Sequence, residues 1–322
     1  MAYLDVIDVS FEEIESSSYD LVVFCNGYEE RSIFFPGLTA CDYKKALVLG
    51  FVDNEDNEYS RENEIFYAKH SRYKVKPVVI NYLDANKIFV TLLDAVKDYD
   101  PKLGQDFRIL VDYSSMPRLW YSEILNFLKC YDFGNQVHCD FVYSVGEHLS
   151  NGMRGQLSEP IVLPGCGAVS AYSRQTIGIF SLGFNEGGPV CLHGKIEPDK
   201  TFALIARPGA LEDYTDKTIA HNEFFLNHCS DGIVFSPLSS VEQCYSVLRE
   251  MVYPYLRVAG VVMVPFGPKP HALASIIAAM NYQEVSCLYS SMGGTGAAVK
   301  PTTELVICRV SKLENSPYRE FL

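Results

Sequence analysis

Val261–Met280 reads VVMVPFGPKPHALASIIAAM, and Ile109–Leu128 reads ILVDYSSMPRLWYSEILNFL. Each opens on a run of β-type apolar residues, breaks at a turn, and continues as an apolar stretch of helical length. In the later stretch Gly267 and Pro268 interrupt the strand, and Pro270 stands where a first helical turn tolerates a missing N–H. In the earlier one Pro117 takes the place of Pro270, and Arg118 that of His271. A strand that turns directly into a helix gathers free backbone N–H groups at one point. That point carries partial positive charge and suits an anion.

Working outward, the same order of elements occurs twice. Asp20–Cys25, Ala46–Val52, Val78–Tyr82, Ile109–Val111 and His138–Ser144 read as strands in the first half, with a helix expected over Ala85–Val96. Ile177–Phe184, Thr201–Ala206, Gly232–Pro237, the opening stretch and Val285–Ser290 repeat that order. The landmark pairs are Gly27 with Gly183, Asn63-Glu64 with Asn222-Glu223, Leu83 with Leu238, Pro117 with Pro270, and Tyr143-Ser144 with Tyr289-Ser290. Their offsets of 156, 159, 155, 153 and 146 residues drift only as loop lengths would. Strands alternating with helices imply a parallel sheet covered on both faces. The expectation is an α/β protein of two tandem Rossmann-like units, an internal duplication with mostly parallel sheets. One long doubly wound domain is the alternative. A Ser-, Gly- and Pro-rich stretch from Leu149 to Thr176 marks the joint, dividing the chain into 1–168 and 169–322.

Composition narrows the function classes. Among 322 residues, 27 Lys and Arg face 40 Asp and Glu, a net charge of −13 that argues against broad contact with duplex DNA. The acidic N-terminus is unlike a signal peptide, and no apolar run approaches a bilayer span, so a cytoplasmic protein without membrane association is expected. The ten cysteines form no C-x-x-C pair, and the seven histidines have no ligand spacing with them, so core thiols and no zinc are expected.

In an open parallel sheet the ligand lies beyond the carboxyl ends of the strands. The residues expected there for ligand binding are Asn26, Gly27, Arg31, Ser114, Ser115 and Arg118 in the first half, and Arg207, Gly267, Lys269 and His271 in the second. Hydroxyls and backbone N–H groups suit phosphate, and the basic residues supply charge in a chain where they are scarce. Glu29, Glu30, Asp53 and Asp112, with Asp56 nearby, are the carboxylates that could hold Mg²⁺ with substrate phosphates. Gly293–Gly296 is Gly-rich but lacks the spacing of a phosphate loop.

A strand ending in Asn26-Gly27, a later strand ending in Ser114-Ser115 with Arg118 beyond it, and a second copy carrying Gly267, Lys269 and His271 resemble the CRISPR-associated Rossmann fold sensors and the related SAVED domains. The resemblance implies a nucleotide ligand, possibly a cyclic oligonucleotide, held in the cleft between two Rossmann-like halves, and a sensor role in prokaryotic defence. Two other readings stand beside it. One is a Mg²⁺-dependent phosphodiesterase or nucleotide hydrolase using the first-half carboxylates; the other is a non-catalytic partner subunit of a larger complex.

Overall fold

The computed structural model describes residues 2–52, 58–100, 104–148, 157–168, 175–185, 187–291 and 299–314. The chain divides into two compact units, Met1–Glu147 with Ala298–Leu322, and His148–Ala297.

The first unit runs β1 (Tyr3–Asp8), α1 (Phe11–Glu15), β2 (Ser18–Asn26), α2 (Phe34–Leu38), β3 (Asp42–Phe51), α3 (Glu58–Lys69), β4 (Val78–Ile80), α4 (Ala85–Val96), β5 (Phe107–Asp112), α5 (Arg118–Cys130) and β6 (Val137–His148). The second runs β7 (Ile161–Val162), β8 (Thr176–Ser181), α6 (Gly188–Ile196), β9 (Lys200–Ala206), α7 (Tyr214–His221), α8 (Glu223–His228), β10 (Gly232–Ser236), α9 (Val241–Val252), β11 (Gly260–Pro265), α10 (Lys269–Asn281) and β12 (Val285–Tyr289). The last strand, β13 (Val299–Leu313), returns to the first unit.

Seven strands form the first sheet in the order β4-β3-β2-β5-β6-β13-β1, and six form the second in the order β10-β9-β8-β11-β12-β7. Counted along the chain, β2–β6 and β8–β12 are each arranged third-second-first-fourth-fifth, all parallel. Each sheet therefore changes direction between its first and fourth strands, at β2/β5 and β8/β11. Val111 and Val264 both lie on fourth strands. The duplication expected from the sequence is thus present in the topology.

Two boundaries differ from the sequence-based division at 168/169. Ile161 and Val162 pair antiparallel with β12 of the second sheet, and β13 pairs antiparallel with β1 of the first. β7 takes the open edge of the second sheet, whereas β13 fills the place between β6 and β1 in the first, and both choices are non-local.

The helices after the fourth strands refine the alignment. α5 and α10 each run 13 residues from a proline N-cap, Pro117 at φ −62°, ψ 152° and Pro268 at φ −61°, ψ 154°. Pro117 therefore corresponds to Pro268, and Pro270 is the second helical residue. The common frame pairs Arg118 with Lys269 and Trp120 with His271, not Arg118 with His271. Trp120 and His271 are both fully buried, which is what the third position of each helix requires.

Each unit has its own apolar core. Phe24, Tyr67, Tyr73, Val48 and Leu110 belong to the first, and Phe180, Leu182, Leu192, Phe225 and Val264 to the second. Seven of the ten cysteines are buried, and none of the ten forms a disulfide among the described residues. Among the described residues no helix is long and apolar enough to cross a membrane.

Candidate functional site

The loop after each first strand is fixed by the same bond. In the first unit the Asn63 amide donates from Nδ2 to the Gly27 carbonyl at 3.0 Å and to the Glu29 carbonyl at 3.1 Å. In the second, Asn222 Nδ2 donates to the Gly183 carbonyl at 2.7 Å. Both asparagines are buried, so these bonds satisfy carbonyls that would otherwise be stranded away from water. The repeated Asn-Glu pair in the sequence thus marks a structural latch, while Glu64 and Glu223 face solvent.

At the β2/β5 crossing of the first unit, side chains close the space. A Cβ on Gly27 would lie 2.6 Å from Ser115 Cβ, so only glycine fits there. Ser115 Oγ in turn shares a 2.7 Å hydrogen bond with Ser32 Oγ. Glu29 and Arg31 form a buried ion pair, and Arg31 also donates to the Tyr143 hydroxyl at 3.1 Å. Burial alone would lower the Arg31 pKa, but the Glu29 carboxylate outweighs it and the guanidinium is held charged. Asp112 accepts from the Ser114 backbone N–H at 2.9 Å and from the Ser114 hydroxyl, whose oxygen accepts from the Ser144 N–H at 2.8 Å. Asn26 Oδ1 and Ser144 Oγ are buried without a partner among the described residues. Arg118 begins α5, half-buried.

The structure therefore brings Gly27, Arg31, Ser114 and Ser115 to one sheet edge but pairs Arg31 with Glu29 and Tyr143, Ser114 with Asp112 and Ser144, and Ser115 with Ser32. Of the candidate carboxylates, Glu29 and Asp112 are committed to these internal bonds. Glu30 opens a short 3₁₀ turn, Glu30–Ser32, and Asp53 lies outside the described residues, as do Asp56 and Gly293–Gly296. No cluster of three metal-ligating side chains occurs among the described residues.

At the β8/β11 crossing of the second unit, backbone meets backbone. A Cβ on Gly183 would lie 2.9 Å from the Phe266 carbonyl oxygen and 3.4 Å from Gly267 Cα. The space a Gly267 Cβ would need is taken by the Ser181 hydroxyl. That hydroxyl is 2% exposed at its residue and has no hydrogen-bond partner among the described residues. Gly267 immediately precedes the Pro268 cap, and proline offers no side-chain acceptor to the first turn of α10. Lys269, half-buried, is its first residue.

His271 is placed otherwise than a ligand contact would be. It is fully buried, and its Nε2 donates to the Pro237 carbonyl at 3.2 Å. Burial lowers its pKa to about 4, against the opposing pull of the Pro237 and Ser236 carbonyls. Its Nδ1 and the Ser236 hydroxyl are also buried without partners among the described residues. Arg207 is exposed at the end of β9, its guanidinium 3.6 Å from the Phe235 ring centroid.

Sequence reasoning missed Ser181. Its signal was available, since it stands two residues before the landmark Gly183, on the last residue of the first strand. A groove lined by Ser17, Asp20, Lys44, Asp106 and Arg108 lies at the opposite, amino edge of the first sheet. There Lys44 is paired with Asp20 at 2.6 Å, and the groove is remote from the carboxyl-edge chemistry in that sheet. No protein-family model and no curated protein matches this chain.

Proposed function

We infer that this protein is a binding module for a small phosphorylated ligand, of the nucleotide class, held at the carboxyl edge of the second unit beside the loops that follow β8 and β11. The observation that carries the reading is the Ser181 hydroxyl, a buried donor without a partner among the described residues, set against Gly267 at the entrance to α10. A buried hydroxyl left unmatched costs about 1–3 kcal/mol, which a phosphate oxygen at this place would recover. The helix start contributes partial positive charge, and Lys269 brings a full one. The close approach of Gly183 to Phe266 and Gly267, which a side chain at either glycine would prevent, draws the loop after β8 against the start of α10.

Thermal denaturation with inorganic phosphate, pyrophosphate and ATP, each with Mg²⁺ and with EDTA, tests this. The expected outcome is a concentration-dependent rise in Tm that persists in EDTA, because ligand binding to the folded state stabilises it by mass action. Stabilisation that requires Mg²⁺ would point away from this site and toward carboxylates. No stabilisation by any of the three would remove the phosphate reading.

A further inference from the structure

We propose that the second unit carries a stacking platform for a planar base, centred on Phe184 with Tyr214 beside it, so that the ligand is a nucleoside phosphate. This rests on the phosphate reading above and adds the second half of the ligand. Phe184 directly follows Gly183, whose missing Cβ faces Phe266 and Gly267 at the entrance to α10. The ring is therefore tethered within one residue of the proposed phosphate position.

Phe184 is half-buried and stands among rings. Its centroid is 4.9 Å from Tyr214, with the planes at 79°, and 5.6 Å from His148, with the planes at 85°. His221 lies 5.8 Å away at 54°. Tyr214 is anchored at both ends of its side chain: its hydroxyl accepts from the His148 backbone N–H at 2.9 Å, and its backbone starts α7. A partly exposed ring fixed by perpendicular neighbours is preorganised, and stacking on it costs little side-chain entropy.

The same position in the first unit has a different fate. Tyr28 follows Gly27 as Phe184 follows Gly183, but it lies 6.3 Å from Phe51, which stacks at 4.5 Å on the fully buried Trp120. Tyr28, half-buried as Phe184 is, meets Phe51 at a tilt of 54°, whereas Phe184 is surrounded by a tyrosine and two imidazoles at the carboxyl edge. Aromatic rings beside a phosphate site suit a base, since every base presents a π-face.

Calorimetric titration of the full chain with AMP, ribose 5-phosphate and adenosine separates the two halves of the ligand. The wild type is expected to bind AMP about tenfold to a hundredfold more tightly than ribose 5-phosphate. Phe184→Leu should abolish that advantage and leave ribose 5-phosphate binding unchanged; Phe184→Tyr should retain it. Equal affinity of the wild type for AMP and ribose 5-phosphate would overturn the platform while leaving the phosphate site intact. Binding of adenosine with no gain from the phosphate would overturn the phosphate site and keep the platform, and no binding of any of the three would overturn both. The wild-type comparison alone decides the matter if Phe184→Leu does not fold.

Discussion

At the first unit's crossing point Ser32 meets Ser115, and Glu29 meets Arg31; at the second unit's crossing point Gly183 meets the backbone of Phe266 and Gly267. The two places share strand order, a proline-capped helix and an asparagine latch, so the frame does not distinguish them. What differs is the chemistry that fills the frame. Closure by side chains ties up Ser32, Ser115, Glu29 and Arg31 with one another, although Asn26 Oδ1 and Ser144 Oγ stay without a partner among the described residues. Closure by backbone leaves the buried Ser181 hydroxyl without a partner among the described residues, beside the start of α10. One copy of the duplicated fold closes its crossing point with side chains, and the other, closed by backbone, is the copy we propose to bind.

The largest effects should fall in the first unit. Arg31→Met strands Glu29 as an uncompensated buried charge and should cost about 3–5 kcal/mol in urea unfolding, with phosphate affinity unchanged. A loss of affinity there would show that the sealed edge also binds. Trp120→Ala should cost a similar amount, about 3–5 kcal/mol, by opening a cavity against Phe51 and removing the indole N–H bond to the Tyr82 carbonyl.

His271, the residue that occupies the same helical position as Trp120, should make the second unit acid-sensitive. An unfolded imidazole takes up a proton near pH 6.5, whereas the folded one resists until about pH 4. The stability that depends on its neutral form is complete above about pH 6.5, declines below it, and is lost once pH falls through 4. The difference amounts to about 3 kcal/mol. His271→Leu should flatten the stability profile over that window, as followed by urea midpoints at each pH; a profile of unchanged slope would show that the imidazole is not the titrating group.

Smaller and equal effects should come from the latches. Asn63→Ala and Asn222→Ala each leave a glycine carbonyl short of its donor and should cost about 1–3 kcal/mol. Hydrogen exchange should report loosening confined to the unit that carries the change. If one substitution is neutral and the other is not, the shared bond is not a shared constraint.

Much of the frame was legible because its signals are local. Apolar runs, Gly-Pro breaks and helical periods marked the strand–turn–helix units, and Ala85–Val96 begins and ends where its pattern does. The pairing of Asn63 with Asn222 was legible as well, though its meaning was not, because a side-chain bond to a carbonyl 36 or 39 residues away leaves no local trace. Pro270 misled because proline is tolerated both before a helix and within its first turn. The return of β13 to the first sheet was hidden for a different reason, since its neighbours there, β6 and β1, are far from it in sequence and leave no local trace in its own alternation. Arg31 and His271 looked like site residues because basic groups at strand ends usually meet solvent. Their burial depends on Tyr143 and Pro237, partners whose convergence only the fold reveals.

The central claim is that equivalent helix starts have diverged, and paired substitution at those starts tests it most directly. Calorimetric titration of pyrophosphate should show Lys269→Ala weakened about tenfold to a hundredfold, the loss of one charge-assisted bond, with Tm nearly unchanged. Arg118→Ala, at the same position of the first unit, should bind as the wild type does. Equal losses in both variants, or a loss only in Arg118→Ala, would contradict the division of labour between the two units.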